Sequence, residues 1–185
     1  MKRPNDFLES IEGDGDPAHR LAHESASALL HRIRESSDPM TQQILAYADE
    51  HGIDDVAELW ADAPANSLPG ALWRVYLLRH VVAADSDVAG YRFKRGLEEG
   101  SGPEHAIAGA PQSPNPTEVR ELADTILAGA FTGDFAGALE RAAAFCRIEG
   151  KGAAALEDDE VAGSFLSMGD ELATAARAWR AGLLE

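Results

Sequence analysis

Apolar residues recur along this chain at intervals of three and four, and no stretch sustains a two-residue alternation rich in β-branched side chains. That period predicts helices throughout. Positions 18, 21, 22, 26, 29, 30 and 33 form one apolar stripe. Asp16-Pro17 ahead of them joins an N-cap to a proline at the first helical position, so a helix is expected over 18–35. Asp38-Pro39 repeats the signal and predicts a helix to His51, with Met40, Ile44, Tyr47 and Ala48 inward and Gly52 as its stop. Shorter helices are expected over 5–12, with Phe7, Leu8 and Ile11 on one side, and over 53–62, with Val56, Leu59 and Trp60 inward.

The segment from Ser67 to Val82 is the most apolar and aromatic of the chain. Leu72, Val75, Tyr76 and Val82 share one side of its helix, while Leu77, Leu78 and Val81 cover most of the other. A helix apolar nearly all round is buried all round, so residues 67–84 are expected to form a central helix. Ser67 is its N-cap, Pro69 sits in its first turn, and Gly70 leaves room for a neighbouring backbone. Arg74 and Arg79 break the pattern. They lie about 140° apart on the helix, so they cannot share one solvent face. A guanidinium in or beside the core needs acceptors. Glu58, Asp62 and Asp124 are the candidates, and the pair reads as either structural ion pairs or an anion site.

Asp85-Ser86-Asp87 caps a helix over 88–99. Residues 100–115 are rich in glycine, serine and proline and predict a long loop, with one helical turn over Glu104–Ala108. Asn115-Pro116-Thr117-Glu118 restarts the helix in capping-box fashion. Thr132-Gly133-Asp134 ends that helix and caps the next, whose stripe runs through Phe135, Ala138, Leu139, Ala142, Phe145 and Cys146. Gly150-Lys151-Gly152 reads as its stop. Ser164 reads as the cap of a last helix, with Phe165, Met168, Leu172, Ala175, Trp179 and Leu183 inward.

The fold class is therefore all-α: a compact bundle of eight or nine mostly antiparallel helices around a buried central helix. A short α-solenoid is the alternative, but no repeated residue signature supports it. The chain divides into an N-terminal helical part over 1–99, the 100–115 loop and a C-terminal helical part over 116–185, within one domain overall.

Charge narrows the functional classes. Against 32 acidic residues stand 16 basic ones, a net charge of −16 spread over both halves of the chain. Such a surface repels nucleic acid and anionic lipid. No apolar run approaches the length of a membrane span, and the Lys-Arg-Pro-Asn start lacks the apolar core of a secretory signal. The single cysteine permits no intrachain disulfide and no cysteine-based zinc site, which points to a reducing cytoplasm.

The segment Leu-Pro-Gly-Ala-Leu-Trp-Arg-Val-Tyr-Leu-Leu-Arg at 68–79 resembles a family of small all-helical actinobacterial proteins. So do Ala-Glu-Leu-Trp-Ala at 57–61 and Leu-Glu-Arg-Ala-Ala-Ala-Phe-Cys-Arg at 139–147. The resemblance extends over most of the chain and implies an all-helical fold. It implies no catalytic residue. Some members carry an RNA-polymerase-subunit label, but this chain has no acidic metal-binding triad of the polymerase kind.

Few residues carry candidate chemistry. His19 and His23 stand at i and i+4, within reach of one metal ion. A third ligand would come from Glu24, His80 or His105. In this the pair resembles the metal-binding four-helix bundles of DinB-like thiol transferases. The Glu-x-x-His repeats of di-iron bundles and the His-Glu-x-x-His of zincins are lacking. Cys146 lies on an apolar stripe next to Arg147 and reads as a buried small hydrophobe. Arg92, Lys94 and Arg95, with Tyr91 and Phe93 between them, read as a solvated face paired with Asp85, Asp87, Glu98 and Glu99. Glu157-Asp158-Asp159-Glu160 reads as a solvated loop without the oxygen-ligand spacing of an EF-hand. No phosphate-binding glycine loop, dinucleotide fingerprint, nucleophile elbow or kinase set is present, so no cofactor is expected. The expectation is a non-catalytic interaction or accessory protein that binds a protein partner or its own copy. A metal- or small-molecule-binding bundle enzyme using His19 and His23 is the alternative.

Overall fold

The computed structural model describes residues 16–31, 52–100 and 102–184. These contain eight α-helices and no strand. They are α1 (Pro17–Leu30), α2 (Ile53–Ala57) with a 3-10 turn at Glu58–Trp60, α3 (Leu68–Ala84), α4 (Ser86–Glu98), α5 (Glu104–Ala108), α6 (Pro116–Ala130), α7 (Phe135–Ala155) and α8 (Asp159–Arg180). The helices expected over 5–12 and 38–51, and the end of the one expected over 18–35, lie outside the described residues.

Most helix starts are set by the caps that the sequence displays. Asp16 accepts from the Ala18 amide at 3.1 Å, and Ser67 from the Gly70 amide at 3.2 Å. Asn115 and Glu118 form a reciprocal capping box, with Glu118 N–H to Asn115 at 3.0 Å and Asn115 N–H to Glu118 at 2.8 Å. Asp85 and Asp134 cap α4 and α7 by accepting from the Val88 and Gly137 amides. The last start differs from expectation. Asp158, not Ser164, is the cap of α8 and accepts from the Val161 amide at 3.2 Å. Ser164 lies inside the helix and donates to the Glu160 carbonyl. The acidic cluster is thus a helix start: Asp159 and Glu160 occupy the first turn, where negative charge meets the positive end of the helix dipole.

A second departure concerns Gly150-Lys151-Gly152. Helix α7 runs straight through them to Ala155. A Cβ on Gly152 would overlap the carbonyl oxygen of Arg92 in α4, and one on Gly96 of α4 would overlap that of Ile148. A Cβ on Gly150 would press on Leu166 of α8 at 2.8 Å. These glycines let three helices approach backbone to backbone, and the tertiary contact overrides their weak helix propensity.

Helix α3 meets α1, α2, the 3-10 turn, α4, α6, α7 and α8. Its first half is buried on every side, from Leu68 to Leu72. Gly70 makes the predicted close approach, packing on the backbone of Pro64. Its second half keeps one open stripe, with Leu77 half-buried and His80, Val81 and Ala84 exposed. The more extensive packing belongs to α7, which lies against α3, α4, α5, α6 and α8 and buries fourteen of its residues. Phe93 of α4 meets Phe145 of α7 with ring centroids 4.7 Å apart and planes tilted by 49°. On α8, Phe165, Leu172 and Ala175 are buried as expected, but Leu183 is 74% exposed and its neighbour Leu184 takes the buried position. The chain leaves the α-helix at Arg180, and Gly182 turns it at φ 68°, so the 3.6-residue period no longer applies at 183.

Candidate functional site

Among the described residues five arginines pair with a carboxylate on another helix: Arg147 with Asp170 and Arg180 with Glu140 join α7 to α8 at the surface, and the other three start from α3 and α4. Arg74 of α3 donates through Nε to Glu171 of α8 at 2.5 Å and through a terminal nitrogen to the Gly70 carbonyl at 2.9 Å. Arg79, on the other side of α3, donates to Asp124 of α6 at 2.8 Å. Asp124 is one of the three partners that the sequence offered. Glu171 is not, since nothing in sequence separation brings α8 to residue 74. Beside Arg79, the Tyr76 hydroxyl donates to Asp54 of α2 at 2.8 Å. Burial together with that acceptor pushes the phenol up to about 12.

The third arginine leads to the most unusual polar group of the interior. Arg92 of α4 donates through Nε to Glu149 Oε2 of α7 at 2.8 Å, and its guanidinium lies 5.2 Å from the ring centre of Phe165 in α8. Glu149 is 0% exposed. Its other oxygen, Oε1, has no hydrogen-bond partner among the described residues. Burial pushes this carboxyl up to about 7, against the pull of Arg92. The basic stretch therefore splits. Arg95 pairs with Glu98 and Glu99 on its own helix, as expected, whereas Arg92 turns inward. Lys94 is exposed and makes no ion pair among the described residues.

The sequence carries a signal for Glu149. This residue stands three and four residues beyond Cys146 and Phe145, on the same helical stripe. Reading the following glycines as a stop hides the stripe's continuation. Cys146 is buried, and burial pushes its thiol up, so it is no poised nucleophile.

His19 and His23 do meet. Their ring centroids lie 4.6 Å apart with the planes tilted by 60°. The suggested third ligands are elsewhere: His80 stacks on Tyr76, His105 bonds the Pro111 carbonyl, and Glu24 is exposed. Among the described residues no group of three His, Cys, Asp or Glu side chains gathers in a way that could hold a metal ion.

The surface has shallow grooves. One of about 470 Å³ lies between α4 and the 113–116 segment, lined by Asp87, Gly90, Tyr91, Lys94, Ser113 and Pro114 among others. Gly90 packs directly on Pro116, which holds this segment against α4. Another of about 300 Å³ lies beside α5 and the start of α7, near Ile107, Thr132 and Arg141. Arg141 donates to the Ala108 carbonyl there at 3.3 Å. No helix among the described residues is long and apolar enough to cross a membrane. No protein-family model, no curated protein and no solved structure matches this chain.

Proposed function

We propose that this chain is a non-catalytic cytoplasmic interaction protein that engages a basic protein partner through the groove between α4 and residues 113–116. The observation that carries the reading is Tyr91, 57% exposed at the groove of about 470 Å³. A tyrosine beside prolines offers rigid apolar area with a polar tip, the composition enriched in interface cores. Val88, one turn earlier on α4, is also exposed. Asp87 and Lys94 supply a charged rim.

The interior supports the same reading. Arg74, Arg79 and Arg92 are held in helix-to-helix ion pairs, and Cys146 is buried. These groups hold the bundle together, and burial pushes the Cys146 thiol up rather than poising it to react. The net charge of −16 draws a basic partner over long range and makes the encounter weaken with salt.

The test is native mass spectrometry on untagged protein purified gently from its own host, with wild type and Tyr91→Ala compared. A stoichiometric complex with a basic protein, weakened at least about tenfold by Tyr91→Ala, supports the assignment. A complex indifferent to Tyr91 overturns it. So does a stoichiometric small molecule, or a homodimer closed on the same groove.

A further inference from the structure

We propose that His19 and His23 form a two-histidine chelate for a late first-row divalent cation, with solvent filling its remaining coordination positions. The site lies on α1 and is independent of the groove assigned above.

Helical geometry places the two side chains on one face, one turn apart. That alone brings histidines near each other. The distance between the rings says more. An imidazole nitrogen binds such an ion at about 2.1 Å, which puts each ring centroid roughly 3.2 Å from the metal. Two rings meeting at one ion at roughly 90–110° then have centroids about 4.5–5.2 Å apart. The observed separation is 4.6 Å, and the tilt of 60° departs from a face-to-face stack. The pair is thus already near the spacing that chelation requires.

The surroundings suit an exchangeable cation. His19 is exposed and His23 half-buried, so an ion can enter from water. Asp16, on the same side of α1 one turn earlier, contributes negative potential while capping the helix. Arg20, exposed between the histidines, opposes it in part, and Glu24 is exposed beside His23. Each imidazole ligates through one neutral nitrogen and keeps the other for a hydrogen bond. Binding releases coordinated water and any proton held on the ligating nitrogen, with no change of oxidation state. Imidazole donors select copper, nickel and zinc over magnesium and calcium, with Cu2+ bound most tightly.

The experiment uses the full-length untagged chain with CuCl2 and NiCl2 as probes. Substoichiometric Cu2+ should broaden the ring resonances of His19 and His23 together, before those of His31, His51, His80 and His105. Calorimetric titration with Ni2+ should show at least about tenfold weaker binding in either His19→Ala or His23→Ala, because a second ligand on the same helix acts at high effective concentration. His80→Ala and His105→Ala should bind within about twofold of wild type on the same reasoning. Equal broadening of all six histidines would overturn the proposal, as would single substitutions that each weaken binding less than twofold. The broadening is read on the wild-type chain, so it stands whether or not a variant folds.

Discussion

The carboxyl of Glu149 should make this protein less stable as pH rises from about 4.5 to about 7. Glu149 is fully buried, with one oxygen on Arg92 and the other unpartnered among the described residues. Its ordinary value of 4.5 is pushed up to about 7 in the fold, because losing water outweighs the attraction of the guanidinium. Between those values the folded chain holds the proton and the unfolded chain does not. Unfolding releases a proton, so stability falls as pH rises. The contribution is intact below about 4.5 and is lost by the time pH has passed about 7. At about 1.4 kcal/mol per pH unit the whole effect is about 3 kcal/mol. Glu149→Gln keeps the shape and an acceptor for Arg92 but cannot ionise. Urea unfolding of both proteins from pH 4.5 to 8.5 isolates the group, since the other acids cancel in the difference. Glu149→Gln should gain on wild type by about 3 kcal/mol across that range. Arg92→Met should cost up to about 3–5 kcal/mol at pH 8, where Glu149 must either bury a bare charge or take up a proton on folding, and less at pH 5. Parallel curves for wild type and Glu149→Gln would refute the reasoning. A wild type that gains on Glu149→Gln as pH rises would mean that Arg92 outweighs burial.

Two further tests read the packing directly. Gly152→Ala should cost about 3 kcal/mol or more in thermal or urea unfolding, because the added methyl meets the backbone of α4 and no side chain can yield. Gly163→Ala, with nothing near its Cβ and ordinary helical backbone, should instead stabilise by up to about 1 kcal/mol. Cys146 should resist a thiol reagent such as DTNB in the folded protein and react fully in urea. Fast labelling of the native state would place it outside the core.

Much of the architecture was legible because local chemistry and the fold agree. Asp16-Pro17, Ser67 and the Asn115–Glu118 box start helices in the sequence and in the structure alike. Disagreement arises where one residue type serves two purposes. Glycine stops a helix by leaving the helical region, and it also lets two helices touch. Gly150 and Gly152 do the second, and only the neighbouring helix distinguishes the cases. Asp158 was hidden in an acidic run that reads as a solvated loop. Arg74 could be seen to need an acceptor, but Glu171 lies 97 residues away and depends on how α8 folds back. The meeting of His19 and His23 was legible because it is local to one helix.

The glycine contacts of α7 also bear on how the chain folds. Gly137, Gly150 and Gly152 each cost this helix about 1 kcal/mol relative to alanine, so the isolated segment is a poor helix. Its last turns gain their order from α4 and α8. The three helices should therefore protect their amides from hydrogen exchange as one cooperative unit, opening together or not at all. A local fraying that lifted α4 from Gly152 would admit water to Glu149 and favour its ionised form, so opening in this region should become easier as pH rises.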